Sequence, residues 1–553
     1  MRRSLFFFSC LILIGCAHLS HAQRQHGARG TASGGVLMPE QAAYDVTFYD
    51  LALAVEPADS TIEGMLTVHA RIVQPVEYLV LDLDTTLAVS DVRLIAGDRA
   101  APLSFEQRGG KLWCDFGGMM QPGEEVVVEV AYGGTPRVAP NPPWIGGFSW
   151  ARTSSGEPWI ATTVQVDGAD LWWPCKDHPS DEPDSVALHI TVPESLVVAS
   201  NGRLREVTEA DDGRPTYHWF VSTPINNYDV ALNIAPYRTI EGTYESISGD
   251  SIPVTFWVLP EAYEQGEVLF PQFAEHLRFY EERLGPYPFR ADKYGVAHTP
   301  HLGMEHQTII AYGNNFTNNE FGFDFLHHHE LGHEWWGNLV SAADWRDFWI
   351  HEGFCSYMQA LYAEELGGQE AYHRYIAGSR GGIGNRQPVA PREARTTQQM
   401  YFVAPDYTQS DGDIYAKGAW VLHTLRYLIG DEAFAEALHR MAYPDPAMEQ
   451  VTDGRQTRFA TTDDFLRIAE QTSGQELDWF FEVYLRQPEL PELVVETDES
   501  GSQMHWDVPG DLPFPMPVEV EVDGETQRIA MPQGAALLPD SATVDPKGWI
   551  LKQ

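Results

Sequence analysis

The chain has 553 residues, of which 43% are hydrophobic and 12% aromatic, and this composition excludes a mostly disordered protein. It carries 79 acidic and 36 basic residues, which gives a formal net charge of −43 at pH 7. Because nucleic-acid binding relies on neutralising phosphates, we expect no nucleic-acid partner. Five unevenly spaced cysteines give no disulfide framework, so we expect at most one bridge.

The N-terminus has the pattern of an export signal. Two arginines precede an apolar run over residues 5–15, which is too short to span a bilayer comfortably. Leu-Ile-Gly before Cys16 resembles a bacterial lipobox, whose cysteine is acylated, whereas Ser-His-Ala22 resembles an ordinary signal-peptidase site. We expect a leader over residues 1–22 and a tether to about residue 42. The protein is then periplasmic or extracellular, and it is either anchored to a membrane through Cys16 alone or soluble after cleavage near Ala22.

The hydrophobic pattern changes twice along the rest of the chain. Short alternating runs separated by Gly, Pro and Asp clusters predict an antiparallel β domain over residues 43–245. Apolar residues then recur at helical spacing, which predicts a mainly helical domain over residues 246–488. Alternation returns over residues 489–553 and predicts a small C-terminal β domain. The fold class is therefore α+β with several domains.

The helical patterns also predict where the main helices lie. Each has apolar residues three and four positions apart, and several end at glycine. The predicted helices cover residues 270–284, 324–340, 351–367, 416–429, 432–441 and 463–470.

One of these helices carries a pattern typical of a zinc site. His329 and His333 are four residues apart, so on a helix both imidazoles lie on one face and can bind one Zn²⁺. Between them, Glu330 is placed to take a proton from the attacking water. Glu352, 19 residues after His333 on the next predicted helix, is a candidate third ligand.

Several further motifs occur in a fixed order around this pattern. They are His329-Glu-Leu-Gly-His-Glu-Trp-Trp-Gly-Asn338, Trp345-x-x-x-Trp349-x-x-Glu352-Gly-Phe, Leu302-Gly303-Met304-Glu305-His306, Tyr415-Ala-Lys-Gly418, Trp173-Pro-Cys175-Lys-Asp177 and Gln165. Together they resemble the aminopeptidase N family of gluzincin zinc metallopeptidases, which also contains the leukotriene hydrolases. The resemblance runs from about residue 45 to the end of the chain.

This resemblance implies a role for each matching residue. It implies one Zn²⁺ per chain, held by His329, His333 and Glu352. Glu330 matches the family's general base, and Tyr415 matches the tyrosine that donates a hydrogen bond in the transition state. The residues implied to bind substrate are Glu305 as the anchor of the α-ammonium, Gln165 beside it, and Gly303 and Met304 along the cleft.

The resemblance also implies an architecture and an activity. The catalytic domain is expected to be thermolysin-like, with no large helical domain at the C-terminus. The expected function is zinc-dependent hydrolysis of the N-terminal peptide bond of peptides with a free N-terminus. Two alternatives remain open, a thermolysin-like endopeptidase and a non-catalytic peptide-binding protein. Leu302, His306 and Cys355 depart from the family's usual residues, which leaves the pocket shape and the role of Cys355 undetermined.

Overall fold

The structure is a computed structural model, and it describes residues 33–404, 409–499 and 501–553. The predicted leader, both predicted cleavage sites and the first part of the predicted tether lie outside the described residues. Among the described helices, none is both long enough and apolar enough to cross a membrane. The three described cysteines, Cys114, Cys175 and Cys355, are buried and unbridged.

The first part of the described chain is rich in β-strands. The strands are β1 (Tyr44–Glu56), β2 (Thr61–Ile72), β3 (Val76–Asp82), β4 (Leu87–Ala96), β5 (Arg99–Pro102), β6 (Ser104–Arg108), β7 (Lys111–Met120), β8 (Glu125–Gly134), β9 (Gly147–Arg152), β10 (Pro158–Thr163), β11 (Ser185–Thr191), β12 (Val197–Ala199), β13 (Arg203–Glu209), β14 (Pro215–Val221) and β15 (Asn233–Ala235). Their side chains alternate as the sequence predicts: along β1, Leu51, Leu53 and Val55 are buried and the residues between them are not.

These strands form three sheets. Their strand orders are β13-β14-β11-β1-β2-β8-β4-β5, β3-β7-β6 and β12-β15-β10-β9. β1 pairs in parallel with β11, whereas its other neighbour, β2, is antiparallel. The predicted antiparallel β domain is therefore confirmed apart from this one parallel pair.

The next sheet belongs to the part of the chain predicted to be mainly helical. It has the order β16-β17-β18-β20-β19, formed by β16 (Arg238–Glu245), β17 (Ser251–Val258), β18 (Tyr294–His298), β19 (Gly303–Met304) and β20 (Ile310–Tyr312). β16 and β17 form a hairpin paired from Arg238 and Val258 to Glu245 and Ser251. The boundary predicted at 245/246 lies between the two strands of this hairpin. The alternation of β16 does not reveal which sheet the strand joins, because β16 enters this sheet through β17, which pairs with the distant strand β18.

Helices make up most of this helical domain. They are α1 (Tyr263–Leu269), α2 (Pro271–Leu284), α3 (Phe325–Gly332), α4 (Trp349–Ser379), α5 (Thr397–Tyr401), α6 (Ala416–Ile429), α7 (Asp431–Ala442), α8 (Thr462–Ser473) and α9 (Asp478–Leu485). Two short ladders join β21 (Val340–Ala342) to β24 (Arg458–Ala460) and β22 (Phe402–Val403) to β23 (Gln409–Ser410). The helix predicted over 324–340 is shorter than expected, because the chain turns after Gly332 and Gly337 adopts a φ of 142°.

The C-terminal residues form the predicted small β domain. Its two three-stranded sheets have the orders β25-β26-β29 and β28-β27-β30, with strands β25 (Glu492–Asp498), β26 (Gly501–Asp507), β27 (Val518–Val522), β28 (Glu525–Ile529), β29 (Ala535–Leu538) and β30 (Thr543–Val544). The domain is tied to the helices by hydrogen bonds, including one of 2.7 Å from the Tyr484 hydroxyl to the Leu551 carbonyl.

Helices α4 and α6 cross at two glycines. A Cβ on Gly418 of α6 would lie only 2.9 Å from the Cα of Gly353 on α4, and a Cβ on Gly353 would lie 3.0 Å from the Cα of Gly418. Any larger residue at the crossing would therefore press on backbone, which cannot move away as a side chain can. Glu352 lies next to one glycine and Tyr415 lies three residues before the other, so the crossing sets how close these two side chains are.

We predict that Gly418→Ala destabilises the protein by about 1–3 kcal/mol, because overpacking forces the two helices apart. The measurement is the free energy of unfolding in urea. The matched control is Gly378→Ala, an exposed helical position of α4 with no atom within 4 Å of the added Cβ. This control should stabilise by about 0.5–1 kcal/mol, the usual gain of alanine over glycine in a helix. Equal stability of Gly418→Ala and the parent would contradict a tight crossing.

Candidate active site

Two helices bring the predicted metal ligands together. His329 lies on α3, His333 directly follows it, and Glu352 lies on α4; their ligand atoms are all within 4.8 Å of one another. Glu352 Oε2 is 3.3 Å from His329 Nε2 and 3.6 Å from His333 Nε2. Donors held about 2.0–2.2 Å from one tetrahedral Zn²⁺ are separated by about 3.3–3.6 Å. Two imidazoles and one carboxylate at these distances therefore fit a zinc ion with an open fourth position.

Local interactions orient the two imidazoles. The Asp324 carboxylate caps α3 by accepting a hydrogen bond from the His327 N–H at 3.0 Å. His333 keeps right-handed helical backbone angles just past the helix end, so its ring lies 4.8 Å from that of His329. His333 Nδ1 is 2.9 Å from the Trp336 carbonyl oxygen, to which it donates its hydrogen. The Nε2 lone pair of His333 is therefore free to face the cluster.

Carboxylates crowd the same cavity. Glu305, Glu330 and His333 form a second group of donor atoms within 4.8 Å of one another, and it shares His333 with the first group. Burial, followed by the nearby charges of Glu305 and Glu352, raises the pKa of Glu330 well above its ordinary value. Burial followed by Glu352 does the same for the pKa of Glu305. A divalent cation relieves this repulsion, which is a second reason why the cavity fits a metal ion.

The buried carboxylate of Glu305 is held by the β domain. The Gln165 side-chain amide donates a hydrogen bond to Glu305 Oε1, and the Tyr228 hydroxyl donates another at 3.0 Å. Gln165 follows β10, and Tyr228 lies in a short turn after β14. Both partners lie outside the helical domain, so the β domain completes the site. The sequence analysis did not predict a role for Tyr228, which lies in none of the motifs.

Glycine at position 303 allows close packing against Glu330. β19 pairs with β20 through Gly303 opposite Tyr312 and Met304 opposite Ala311. A Cβ on Gly303 would lie 2.5 Å from Glu330 Oε1, so a larger residue would displace this carboxylate. Met304 is buried on the neighbouring position of the strand, beside Glu305.

A pair of tyrosines lies beside the cluster. The ring of Tyr415 is nearly parallel to that of His329, with the ring centres 6.1 Å apart. Its hydroxyl is 2.6 Å from the hydroxyl of Tyr401, the last residue of the five-residue helix α5. The sequence analysis missed Tyr401. A capping box at Thr396 and Gln399 marks the start of α5 and could have predicted the helix, but it does not predict where the tyrosine points.

Two histidines next to the zinc pattern lie away from the cluster. His327 contacts the Tyr294 hydroxyl at 2.6 Å and His276 at 2.8 Å. The His328 carbonyl accepts a hydrogen bond of 2.9 Å from the Tyr280 hydroxyl. These contacts place His327 and His328 in the packing between α2 and α3.

Two family models and several curated proteins match parts of this chain. The family model described as the peptidase M1 N-terminal domain matches residues 46–228, and the one described as the peptidase family M1 domain matches residues 274–484. Aminopeptidase N of Streptomyces lividans is 26% identical over 342 residues, which are 58% of this chain and 38% of the relative. Endoplasmic reticulum aminopeptidase 1 of Homo sapiens is 23% identical over 327 residues, 55% of this chain and 33% of the relative. The matches thus span little more than a third of these curated relatives.

The fold has a solved counterpart that aligns over nearly its whole length. A mutant M1 zinc metallopeptidase from Deinococcus radiodurans, bound to a Tyr-Ser-Ala substrate, aligns with a TM-score of 0.66 and 25% identity. The alignment covers 83% of this chain and 98% of that one. The two family models together match more than two thirds of the sequence, in the order of the β domain and the helical domain described above. The chain belongs to the aminopeptidase N family of M1 gluzincin metallopeptidases.

Proposed function

We propose that this protein is a zinc-dependent aminopeptidase that hydrolyses the N-terminal peptide bond of peptides. One observation carries the proposal: the buried Glu305 carboxylate lies beside the metal-ligand cluster, with donor atoms of Glu330 and His333 within 4.8 Å. A carboxylate in this place can pair with a substrate's α-ammonium. With the α-ammonium bound to Glu305, the first peptide bond of the substrate would lie at the neighbouring metal-ligand cluster. An internal peptide bond has no α-ammonium next to it that Glu305 could bind.

The chemistry follows from the positions of the side chains. Zn²⁺ bound by His329, His333 and Glu352 would supply a Lewis acid and lower the pKa of the attacking water. Glu330 accepts the proton of that water and passes it to the leaving amine. The Tyr415 hydroxyl donates a hydrogen bond to the carbonyl oxygen as negative charge develops on it.

Three groups orient the substrate. Glu305 binds the α-ammonium, and Gln165 and Tyr228 hold the Glu305 carboxylate by hydrogen bonds from the β domain. Because all three side chains are buried, their positions are fixed before the substrate arrives, and this lowers the entropic cost of reaching a reactive geometry.

The first prediction of the proposed function concerns the metal. We expect one zinc per chain by elemental analysis, and loss of activity when a chelator removes it. His329→Ala should lose zinc because it removes a ligand. Glu330→Gln should keep zinc but lose about 10²–10⁴-fold in rate, the usual effect of removing a general base. The control is Glu370→Gln at an exposed site on α4, which should retain both zinc and rate. Full activity without metal would refute the proposal.

The second prediction concerns selectivity for the N-terminus. Glu305→Gln removes a charge worth about 1.5–3 kcal/mol in a hydrogen bond to an ammonium, so kcat/KM for free-amine substrates should fall about 10–10²-fold. Zinc content should not change. The matched control is Glu281→Gln, because Glu281 is also buried and also accepts a tyrosine hydrogen bond, from Tyr244 at 2.7 Å. It should affect stability but not kcat/KM.

Chromogenic substrates with free and N-acetylated amines distinguish the remaining functions. Hydrolysis of the free-amine substrates alone indicates an aminopeptidase. Cleavage of internal bonds would indicate an endopeptidase instead, and binding without cleavage would indicate a peptide-binding protein. If Glu305→Gln cleaves free-amine substrates as well as the parent does, Glu305 is not the anchor.

The third prediction concerns the location of the protein. The apolar run over residues 5–15 and the lipobox-like sequence before Cys16 support export followed by acylation of Cys16. The protein should then fractionate with membranes, and Cys16→Ser should release it. Mass spectrometry that finds a mature N-terminus at Gln23 would contradict acylation and indicate ordinary signal-peptidase cleavage.

A further inference from the structure

We propose that Tyr401 is a positioning residue for catalysis, which orients Tyr415 and Glu352 through a chain of hydrogen bonds. The proposal rests on the proposed function, in which Tyr415 stabilises the transition state and Glu352 binds the metal. Tyr401 lies in none of the motifs recognised in the sequence, and the structure brings it into the site from α5.

The hydroxyl of Tyr401 has three polar neighbours. It lies 2.6 Å from the Tyr415 hydroxyl, 3.1 Å from Glu352 Oε1 and 3.1 Å from Gln165 Oε1. Glu352 and the Gln165 oxygen can only accept, and Tyr401 has a single proton to donate. The charged carboxylate is the stronger acceptor, so Tyr401 donates to Glu352. The remaining contact is then a hydrogen bond that Tyr415 donates to the oxygen of Tyr401.

The first consequence concerns the metal ligand. With Oε1 of Glu352 engaged by Tyr401, Oε2 is the oxygen that faces His329 at 3.3 Å and His333 at 3.6 Å. Tyr401 thereby holds the carboxylate so that one oxygen faces the two imidazoles and the other is hydrogen-bonded. A hydrogen-bonded ligand also keeps its orientation, because rotation of the carboxylate would break the bond.

The second consequence concerns the transition state. A hydrogen bond to Tyr401 holds the Tyr415 oxygen in place before the substrate binds. When charge develops on the carbonyl oxygen, Tyr415 has only to redirect its proton, while its oxygen stays where Tyr401 holds it. Such preorganised donors contribute mainly to the transition state and little to substrate binding. Loss of Tyr401 should therefore lower kcat more than it raises KM.

Tyr401 itself is fixed by the β domain. Three consecutive residues of the loop after β10 bind α5: Gln165 contacts Tyr401, the Val166 carbonyl accepts from Thr397 Oγ1 at 2.7 Å, and Asp167 accepts from Gln398 at 3.3 Å. The same loop carries the amide that holds Glu305. Helix α5 thus links the anchor region to the metal-ligand cluster, and Tyr401 is the residue at the point of contact.

The experiment uses the zinc-loaded full chain and Tyr401→Phe. We expect kcat on free-amine substrates to fall about 10–10²-fold, with KM changed less than about threefold and zinc content unchanged. In a Tyr415→Phe background the same substitution should cause a smaller loss than in the parent, because only the contact with Glu352 then remains for Tyr401 to act through. The matched control is Tyr357→Phe. It removes the hydroxyl of a buried tyrosine that lies 2.9 Å from the Tyr372 hydroxyl, and it should leave kcat unchanged.

A binding measurement that needs no turnover complements the kinetics. Tyr401→Phe should weaken binding of a phosphonate peptide analogue, whose tetrahedral oxygens mimic the transition state, by a factor similar to the loss in kcat. Binding of a free amino acid should change little. If Tyr401→Phe does not fold, Thr397→Val serves as a second variant, since it loosens α5 without touching the cluster. It should lower kcat about 2–10-fold at nearly constant KM.

Two results would overturn the inference. One is a Tyr401→Phe enzyme with kcat within twofold of the parent and unchanged affinity for the analogue. The other is a loss of equal size in the parent and in the Tyr415→Phe background, because Tyr401 would then act independently of Tyr415. If instead the parent cleaves no free-amine substrate, the proposed function fails, and this outcome is distinct from a failure of the role of Tyr401.

Discussion

The structure of the site depends on three glutamates confined to one buried cavity. Burial raises the pKa of Glu305 and of Glu330 well above its ordinary value, and the charges of the neighbouring carboxylates raise it further. Each carboxylate is kept in place by a different means. Glu352 faces two imidazoles, Glu305 receives hydrogen bonds from the β domain, and Glu330 is close to a strand that lacks a side chain at Gly303.

This confinement explains why distant parts of the chain meet here. The two helices that carry the metal ligands belong to the helical domain, but the groups that hold Glu305 come from the β domain. The geometry of the site therefore depends both on how the helices pack on one another and on how the β domain packs on the helical domain. The glycine crossing of α4 and α6 is one result, since it brings the residues next to Glu352 close to the turn that begins with Tyr415.

The sequence predicted those parts of the site that depend on local spacing. His329, His333 and Glu352 follow from helical periodicity and known ligand chemistry, and the structure brings them together. Glu305 and Tyr415 required a family resemblance, because neither stands out by residue type. Tyr228 and Tyr401 were not predicted, because their partners Glu305 and Gln165 are 77 and 236 residues away in the chain. For the same reason the alternation of β16 does not predict its sheet, which the strand joins through β17 and the distant strand β18.

The loop of residues 165–167 has a consequence for how proteins of this architecture can diversify. It binds α5 at three successive positions and also holds Glu305, yet it contributes no metal ligand. Substitutions in this loop therefore act on two parts of the site at once, on Glu305 through Gln165 and on Glu352 through Tyr401. Recognition of the peptide end and the geometry of hydrolysis are thus coupled through three residues, so selection on one of them also acts on the other.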